Sequence, residues 1–442
     1  MVGKTAVAVE EQQPAFASLD VSAGRFAISI LFGLVAGLVL QIWTVAFLGR
    51  LGPEVLYVRS VYTPVGYLVL AVTEGLVVAA QVSAGIAARS GRERDSLKSL
   101  PTFFAVGAGL LVLQTVMATV ASGPVLTALG VAPETRHEVL VFVVAVALTG
   151  AAGLIPYLGT SVLRGLGHTG SAAWLGVLFT VLSIVGTVAL HAVTGLGMLA
   201  VPIGGLPAIV IVGASVALVL RRKQLAWPGM AIDRGAVREL LGLGAPVAGT
   251  FLLLSTVTFG YLRALREAGP TEVAGFALGQ MAVALLMVIA MAVGSGTAVA
   301  VTLRPSASRR GINYAGLVTA LRLSVPPYFL LGAAAFLLRE PVARALTTDR
   351  AAAAVAADYF AWVGPTLVLF GGTLALLSYL EQIGRAGAAF LLNVVYFTVM
   401  LAAAFLIPGP VDAGTLAKLI AAGNVVGFGG LWFSARFLVL RR

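Results

Sequence analysis

Twelve apolar stretches, each about 20 residues or longer, suit this chain to one solvent above all, the hydrocarbon of a bilayer. They fall at roughly 22–48, 57–88, 99–121, 138–163, 171–193, 198–220, 240–265, 272–303, 315–338, 353–380, 388–408 and 414–437. Inside lipid every backbone N–H and C=O must be paired within the segment, so each stretch reads as a helix. Charged residues make up only 11% of the 442, against about 25% in soluble domains. The expected fold is an all-α polytopic membrane protein with twelve transmembrane helices.

The connections alternate in charge. One set carries Arg89, Arg92, Arg94 and Lys98, then Arg221, Arg222 and Lys223, then Arg304, Arg309 and Arg310, and the chain ends with Arg436, Arg441 and Arg442. The opposite set is poorer in positive residues, with Arg50, Arg136 and Arg266. By the positive-inside rule both termini are cytoplasmic. The net charge of +11 is then assigned to these loops and not to nucleic-acid binding. Residues 1–21 lack the apolar core and cleavage site of a signal peptide and read as a retained cytoplasmic tail. The excess of arginine over lysine, with abundant Ala, Gly and Val, points to a bacterial plasma membrane. There is no cysteine, and so no disulfide or thiolate chemistry.

The two halves repeat. Gly52-Pro53 recurs 217 residues on as Gly269-Pro270. At the same offset Pro124-Val125 recurs as Pro341-Val342, and Ala128-Leu129 as Ala345-Leu346. "VLRGLGHTG" from Val162 aligns with "YLEQIGRAG" from Tyr379, pairing Leu163 with Leu380, Gly167 with Gly384 and Gly170 with Gly387. Six spans per half give both copies the same orientation, a parallel repeat of the kind that places substrate near the midplane. The expected division is a tail over 1–21, a six-helix lobe over 22–220, a linker over 221–239, a second six-helix lobe over 240–437 and a C-terminus at 438–442.

Several segments resemble the multidrug and toxic compound extrusion (MATE) family, within the wider multidrug/oligosaccharidyl-lipid/polysaccharide flippase superfamily. They are "TVAFLGRLGPEVLYVRSV", "EGLVVAAQVSAGIAARSGRERDSLKSL", "SVLRGLGHTG", "LLGLGAPVAG" and "LREAGPTEVAGFALGQ". The likeness runs from about residue 22 to 437. It implies a two-lobe antiporter working by alternating access, driven by protons or Na⁺. Relatives often carry an aspartate near the outer end of the first span, where this chain has Thr44. A frequent proline in that span falls on Ser29, although its counterpart in the second half, Pro246, is present.

The polar groups inside the spans are the candidate site. Glu74 stands in the middle of "GYLVLAVTEGLVVAAQ", and a carboxylate at the bilayer centre costs at least roughly 2.5–3.5 kcal/mol on insertion scales. Thr63, Tyr67, Glu74 and Gln81 follow at helical spacings of four, seven and seven. That stripe reads either as the lining of an aqueous cleft with a protonatable group, or as a hydrogen-bonded acid joining two helices. Gln41 and Thr44 share a face of the first span. In the second lobe Asp358 and Trp362 share a face of the tenth span, and Asp358 reads as a solvated interfacial carboxylate or a second coupling candidate. Tyr261, Gln280 and Asn393, with Asn424, are further polar points, either interhelical hydrogen bonds or cavity contacts. Glu381, whose repeat partner is Arg164, reads with it either as a plain solvated pair or as a cytoplasmic-surface ion pair closing the inner side. Arg322 reads as a snorkelling side chain. His191, with Thr180, Ser183 and Thr187, lies on a stripe of the fifth span.

No phosphate loop, catalytic constellation or metal cluster is found, and the three histidines are scattered. The function expected is therefore not enzymatic and needs no cofactor beyond a coupling H⁺ or Na⁺. It is a secondary antiporter exporting a small amphipathic or aromatic compound. Its expected partners are that substrate and membrane lipids, with no nucleic acid, and it is expected to be monomeric. The alternative is a flippase for a lipid-linked or other amphipathic precursor.

Overall fold

The computed structural model describes residues 13–120, 136–223, 225, 232–265, 267–304, 308–409 and 411–440, with side chains left out at 13–17, 53–54, 56–65 and 309. Its long helices are α1 (Gln13–Leu51), α2 (Pro53–Arg89), α3 (Leu100–Val120), α4 (Arg136–Gly165), α5 (Thr169–Thr194) and α6 (Leu206–Arg222). They continue with α7 (Arg234–Ala264), α8 (Pro270–Leu303) and α9 (Arg309–Leu337). The tenth, α10, is made of Arg350–Val363 and Leu367–Leu380, joined by the 3₁₀ turn Gly364–Thr366. The last two are α11 (Ala386–Leu406) and α12 (Ala413–Leu440). Eleven stretches of the described residues are long and apolar enough to cross a membrane. One of them, Arg350–Leu406, runs for 57 residues and holds two crossings, because Gly384 turns the chain at φ 88° between α10 and α11. Twelve crossings result among the described residues.

The repeat has a backbone basis. Gly52 (φ 140°) and Gly269 (φ 97°) stand at the starts of α2 and α8 in a region closed to L side chains. Each is followed by a proline at the first helical position, where no N–H is needed. Gly167 (φ 82°) and Gly384 (φ 88°) form a second left-handed pair at the same offset. The first copy of the repeat at Pro124-Val125 and Ala128-Leu129 lies outside the described residues. The cores agree too. Leu111, Phe142 and Val162 are buried in the first half, and Tyr328, Tyr359 and Tyr379 are buried at the matching positions of the second.

Packing divides the chain differently from its loops. One compact unit is Phe32–Leu252, and the other combines the chain up to Leu31 with Leu253–Arg442. The division by packing falls inside α1 and α7. In the unit that holds the start of α1, a Cβ on Gly296 of α8 would meet the Ala27 backbone nitrogen. Asp20 accepts a hydrogen bond from Thr319 and pairs with Arg322 at 3.8 Å. Arg304 donates to Ser18 Oγ at 3.1 Å. α1 thus starts within the stretch read as a tail, and Arg322 has a carboxylate partner. In the unit Phe32–Leu252, a Cβ on Gly75 of α2 would lie 2.6 Å from the Gly244 carbonyl of α7.

The candidate functional site

In the unit Phe32–Leu252, α2 and α4 pack backbone to backbone. A Cβ on Gly165 would collide with the Gln81 carbonyl and stand 3.0 Å from Ala84 Cβ. Small residues permit this approach, and Ala79, Ala80 and Ala84 on α2 are buried beside it. Gln81 is itself only 3% exposed.

The same contact sets the neighbours of Glu74. On α2, Glu74 lies seven residues before Gln81. On α4, Tyr157 lies eight before Gly165 and Arg164 lies immediately before it. At about 1.5 Å per residue, Tyr157 stands level with Glu74, and Arg164 sits about two turns away with its side chain directed back along the helix. Glu74 is within electrostatic reach of both Tyr157 and Arg164. Glu74 is half-buried. The Tyr157 ring rests against Phe179 of α5, with centroids 5.5 Å apart. Arg164 Nη2 donates to Ser161 Oγ at 3.0 Å, while its buried Nε has no hydrogen-bond partner.

The other predicted residues are dispersed. Tyr67 is exposed (44%), and the Thr63 side chain lies outside the described residues. Gln41 is exposed. The Thr44 hydroxyl donates to the Leu40 carbonyl of its own helix at 2.8 Å. Next to it Trp43 stacks on Phe47 at 5.2 Å, and Phe47 meets His191 edge-on at 5.4 Å. Thr180 donates to the Ala36 carbonyl at 3.1 Å, joining α5 to α1.

In the other unit Tyr261 is buried (5%) at the head of an edge-to-face series through Phe276, Tyr359 and Phe360. Gln280 is half-buried on α8, and Asn393 is buried on α11. Asp358 is exposed, and a Cβ on Gly414 would stand 2.9 Å from its Oδ2. Trp362 is 44% exposed with Lys418 Nζ 5.0 Å from its ring centroid. Asn424 donates to Thr366 Oγ1 at 3.0 Å. Among the described residues no group of three His, Asp or Glu side chains is placed to hold a metal ion.

Sequence reasoning missed Tyr157, and it compared Arg164 only with Glu381. A usable signal was present. Tyr157 and Arg164 are seven residues apart on α4, the spacing that separates Glu74 from Gln81 on α2.

Residues 246–406 match the MatE family model. No curated protein matches the chain in sequence. Solved structures match along almost its whole length. The Vibrio cholerae MATE transporter VcmN in its bent form is 17% identical, with a TM-score of 0.87 over 97% of this chain and 98% of that one. A multidrug resistance MATE family transporter in an outward-facing conformation is 17% identical, with a TM-score of 0.84 over 96% and 97%. A MOP superfamily transporter from Pyrococcus furiosus, described as having a binding pocket of reverse polarity that suggests a different function, is 16% identical. Its TM-score is 0.82 over 95% and 96%.

Proposed function

The chain has the multidrug and toxic compound extrusion fold along its length and that family's sequence pattern in its second half, and from this premise we propose that it is a secondary antiporter. It exports a small amphipathic or aromatic compound by alternating access, exchanging it for H⁺ or Na⁺. It lies in a bacterial plasma membrane with both termini cytoplasmic, on the side of the Arg-rich connections.

The observation that carries the coupling role is the placement of Glu74. It stands mid-helix in an apolar span, beside an ionisable phenol and a guanidinium on α4. Intramembrane carboxylates of this kind mark ion and substrate pathways. Thr44 has no proton to exchange near neutral pH, and its hydroxyl is bonded to its own helix. Among the described residues of the first half, Glu74 is the carboxylate that stands mid-span.

The test is accumulation of fluorescent aromatic compounds, cationic and neutral, in efflux-deficient bacteria, with and without collapse of the proton gradient. Wild type lowers accumulation while the gradient stands, and Glu74→Gln at matched expression abolishes the effect. Equal export by the variant overturns the coupling role.

A further inference from the structure

We propose that Arg164 is the resident counter-ion of Glu74, and that the two side chains form one charge-balanced unit inside the first six-helix half, with Arg164 changing partner between Ser161 and Glu74. The inference rests on the coupling role given to Glu74 and adds a positioning residue to it.

Three observations support it. The backbone contact of Gly165 with Gln81 places Arg164 directly beside α2, on the helix that also brings Tyr157 level with Glu74. Arg164 is then held in a half-satisfied state, since Nη2 is bonded to Ser161 but the buried Nε has no partner. A buried donor left without a partner is costly, and more so on a charged group. Glu74 is the carboxylate within electrostatic reach of it.

Among the described residues of α3, α4 and α7 no other charged group stands level with Glu74. α3 carries no titratable side chain between Leu100 and Val120. α7 meets Glu74's neighbour Gly75 at Gly244, and its titratable groups lie away from that point. Arg234, Arg238 and Glu239 are at one end, with Glu239 accepting from Ser99 at 3.4 Å, and Tyr261 and Arg263 are at the other. Of the titratable groups on α4, Tyr157 and Arg164 face Glu74, while Arg136, His137 and Glu138 stand at the far end of the helix.

The consequence is a switch by exchange of partners. An ionised Glu74 draws the guanidinium and cancels its charge. A protonated Glu74 releases it to Ser161, the arrangement seen here, and leaves one positive charge beside the site. Proton binding thus changes the net charge of the pair from zero to plus one.

Carbodiimide labelling tests this without any transport substrate. Dicyclohexylcarbodiimide adds to protonated carboxyls in apolar surroundings, and labelling of Glu74 is followed by mass spectrometry against pH, on the full-length protein in lipid nanodiscs. In Arg164→Gln the labelling midpoint moves at least about one pH unit upward, because an opposite charge within about 4–6 Å favours the ionised form by that much or more. An unmoved midpoint overturns the proposal. Arg164→Lys guards against a misfolded glutamine variant. There the activated Glu74 carboxyl condenses with the amine introduced by the substitution, forming an amide as the carbodiimide takes up the elements of water to become its urea. The linked pair of peptides, one holding Glu74 and the other the substituted position, appears lighter by one water. Labelled Glu74 without that cross-link also overturns the pairing. If labelling behaves as stated but Glu74→Gln still exports, the pairing stands and the coupling reading falls.

Discussion

The two halves of this chain put opposite things at matching positions. In the first, Glu74 and Tyr157 bring a carboxyl and a phenol into α2 and α4, and Arg164 stands in the last turn of α4 within electrostatic reach of Glu74. At the 217-residue offset the second has Met291, Leu374 and Glu381, and Glu381 lies in the turn between α10 and α11. One feature is retained: Ser161 recurs as Ser378, which donates to the Met291 carbonyl at 3.3 Å. The second half instead invests in aromatic packing. Tyr328 and Tyr379 are fully buried, and their hydroxyls donate to the Leu286 and Asn313 carbonyls. The repeat therefore specifies the scaffold, and the departures from it separate a titratable half from a packed one. Where two copies share a backbone, a residue that breaks the match is better evidence of chemistry than one that keeps it.

The largest expected effect tests that separation directly. Glu74→Gln lowers the initial export rate at least about tenfold, while Glu381→Gln, made in the same cells, leaves export within a few-fold of wild type. The reverse order, with Glu381 the more sensitive, would move the coupling group to the second half and end the contrast.

Much of this was legible in the residues. Helix ends are written in Gly-Pro pairs and left-handed glycines because backbone conformation at those points depends on single residues, and the spans are written in apolar runs because lipid tolerates little else. The partner of Glu74 was not legible. It lies ninety positions away on another helix, and the close contact of Gly165 on α4 with Gln81 on α2 brings the two together. The unit boundaries were hidden for a related reason. Polarity marks where loops lie, but the ends of α1 and α7 are assigned by what they pack on, as Asp20 with Thr319 and Gly244 with Gly75 illustrate. On the helix that carries Tyr67, Glu74 and Gln81, exposure passes from exposed Tyr67 to buried Gln81, a gradient that spacing alone does not encode.

Both halves also depend on close approach, through different partners. A methyl at Gly165 strikes the Gln81 carbonyl, which belongs to a helix backbone and has little room to yield. A methyl at Gly371 strikes the Tyr328 ring, which is pinned by its hydroxyl to Leu286. Gly→Ala at either position costs about 1–3 kcal/mol by overpacking, read as a lower midpoint in heating followed by size-exclusion fluorescence. The contrast lies in function. Gly165→Ala pushes α4 from α2 and so disturbs Glu74 and Arg164, lowering export per folded molecule. Gly371→Ala lowers only the folded amount. Equal specific activity in the two variants would mean that the α2–α4 contact does not set the site.

The smallest effect concerns how each half begins its last helix. In the second, Asp412 Oδ1 accepts from the Thr415 N–H at 2.6 Å, and Glu272 reaches from α8 to accept from the Ala413 N–H at 3.0 Å. The first half enters α6 from Gly205, with Pro207 in the first turn and no side-chain cap hydrogen bond. Asp412→Ala should cost about 0.5–2 kcal/mol, the usual range for a lost N-cap, and the lower end applies because Asp412 is exposed. The effect has a pH signature. The side chain and backbone N–H of Thr415 hold the Asp412 carboxyl below its ordinary value, so its contribution is fully present above that value, about 3.9. It is lost as the pH falls through the lower, folded value. Wild type and variant should therefore differ in thermal midpoint at pH 7 and converge below about pH 4. A difference that persisted unchanged down to about pH 3, below the ordinary carboxyl value, would assign the loss to packing and not to the charged cap, and the two halves would then begin their last helices by the same physics.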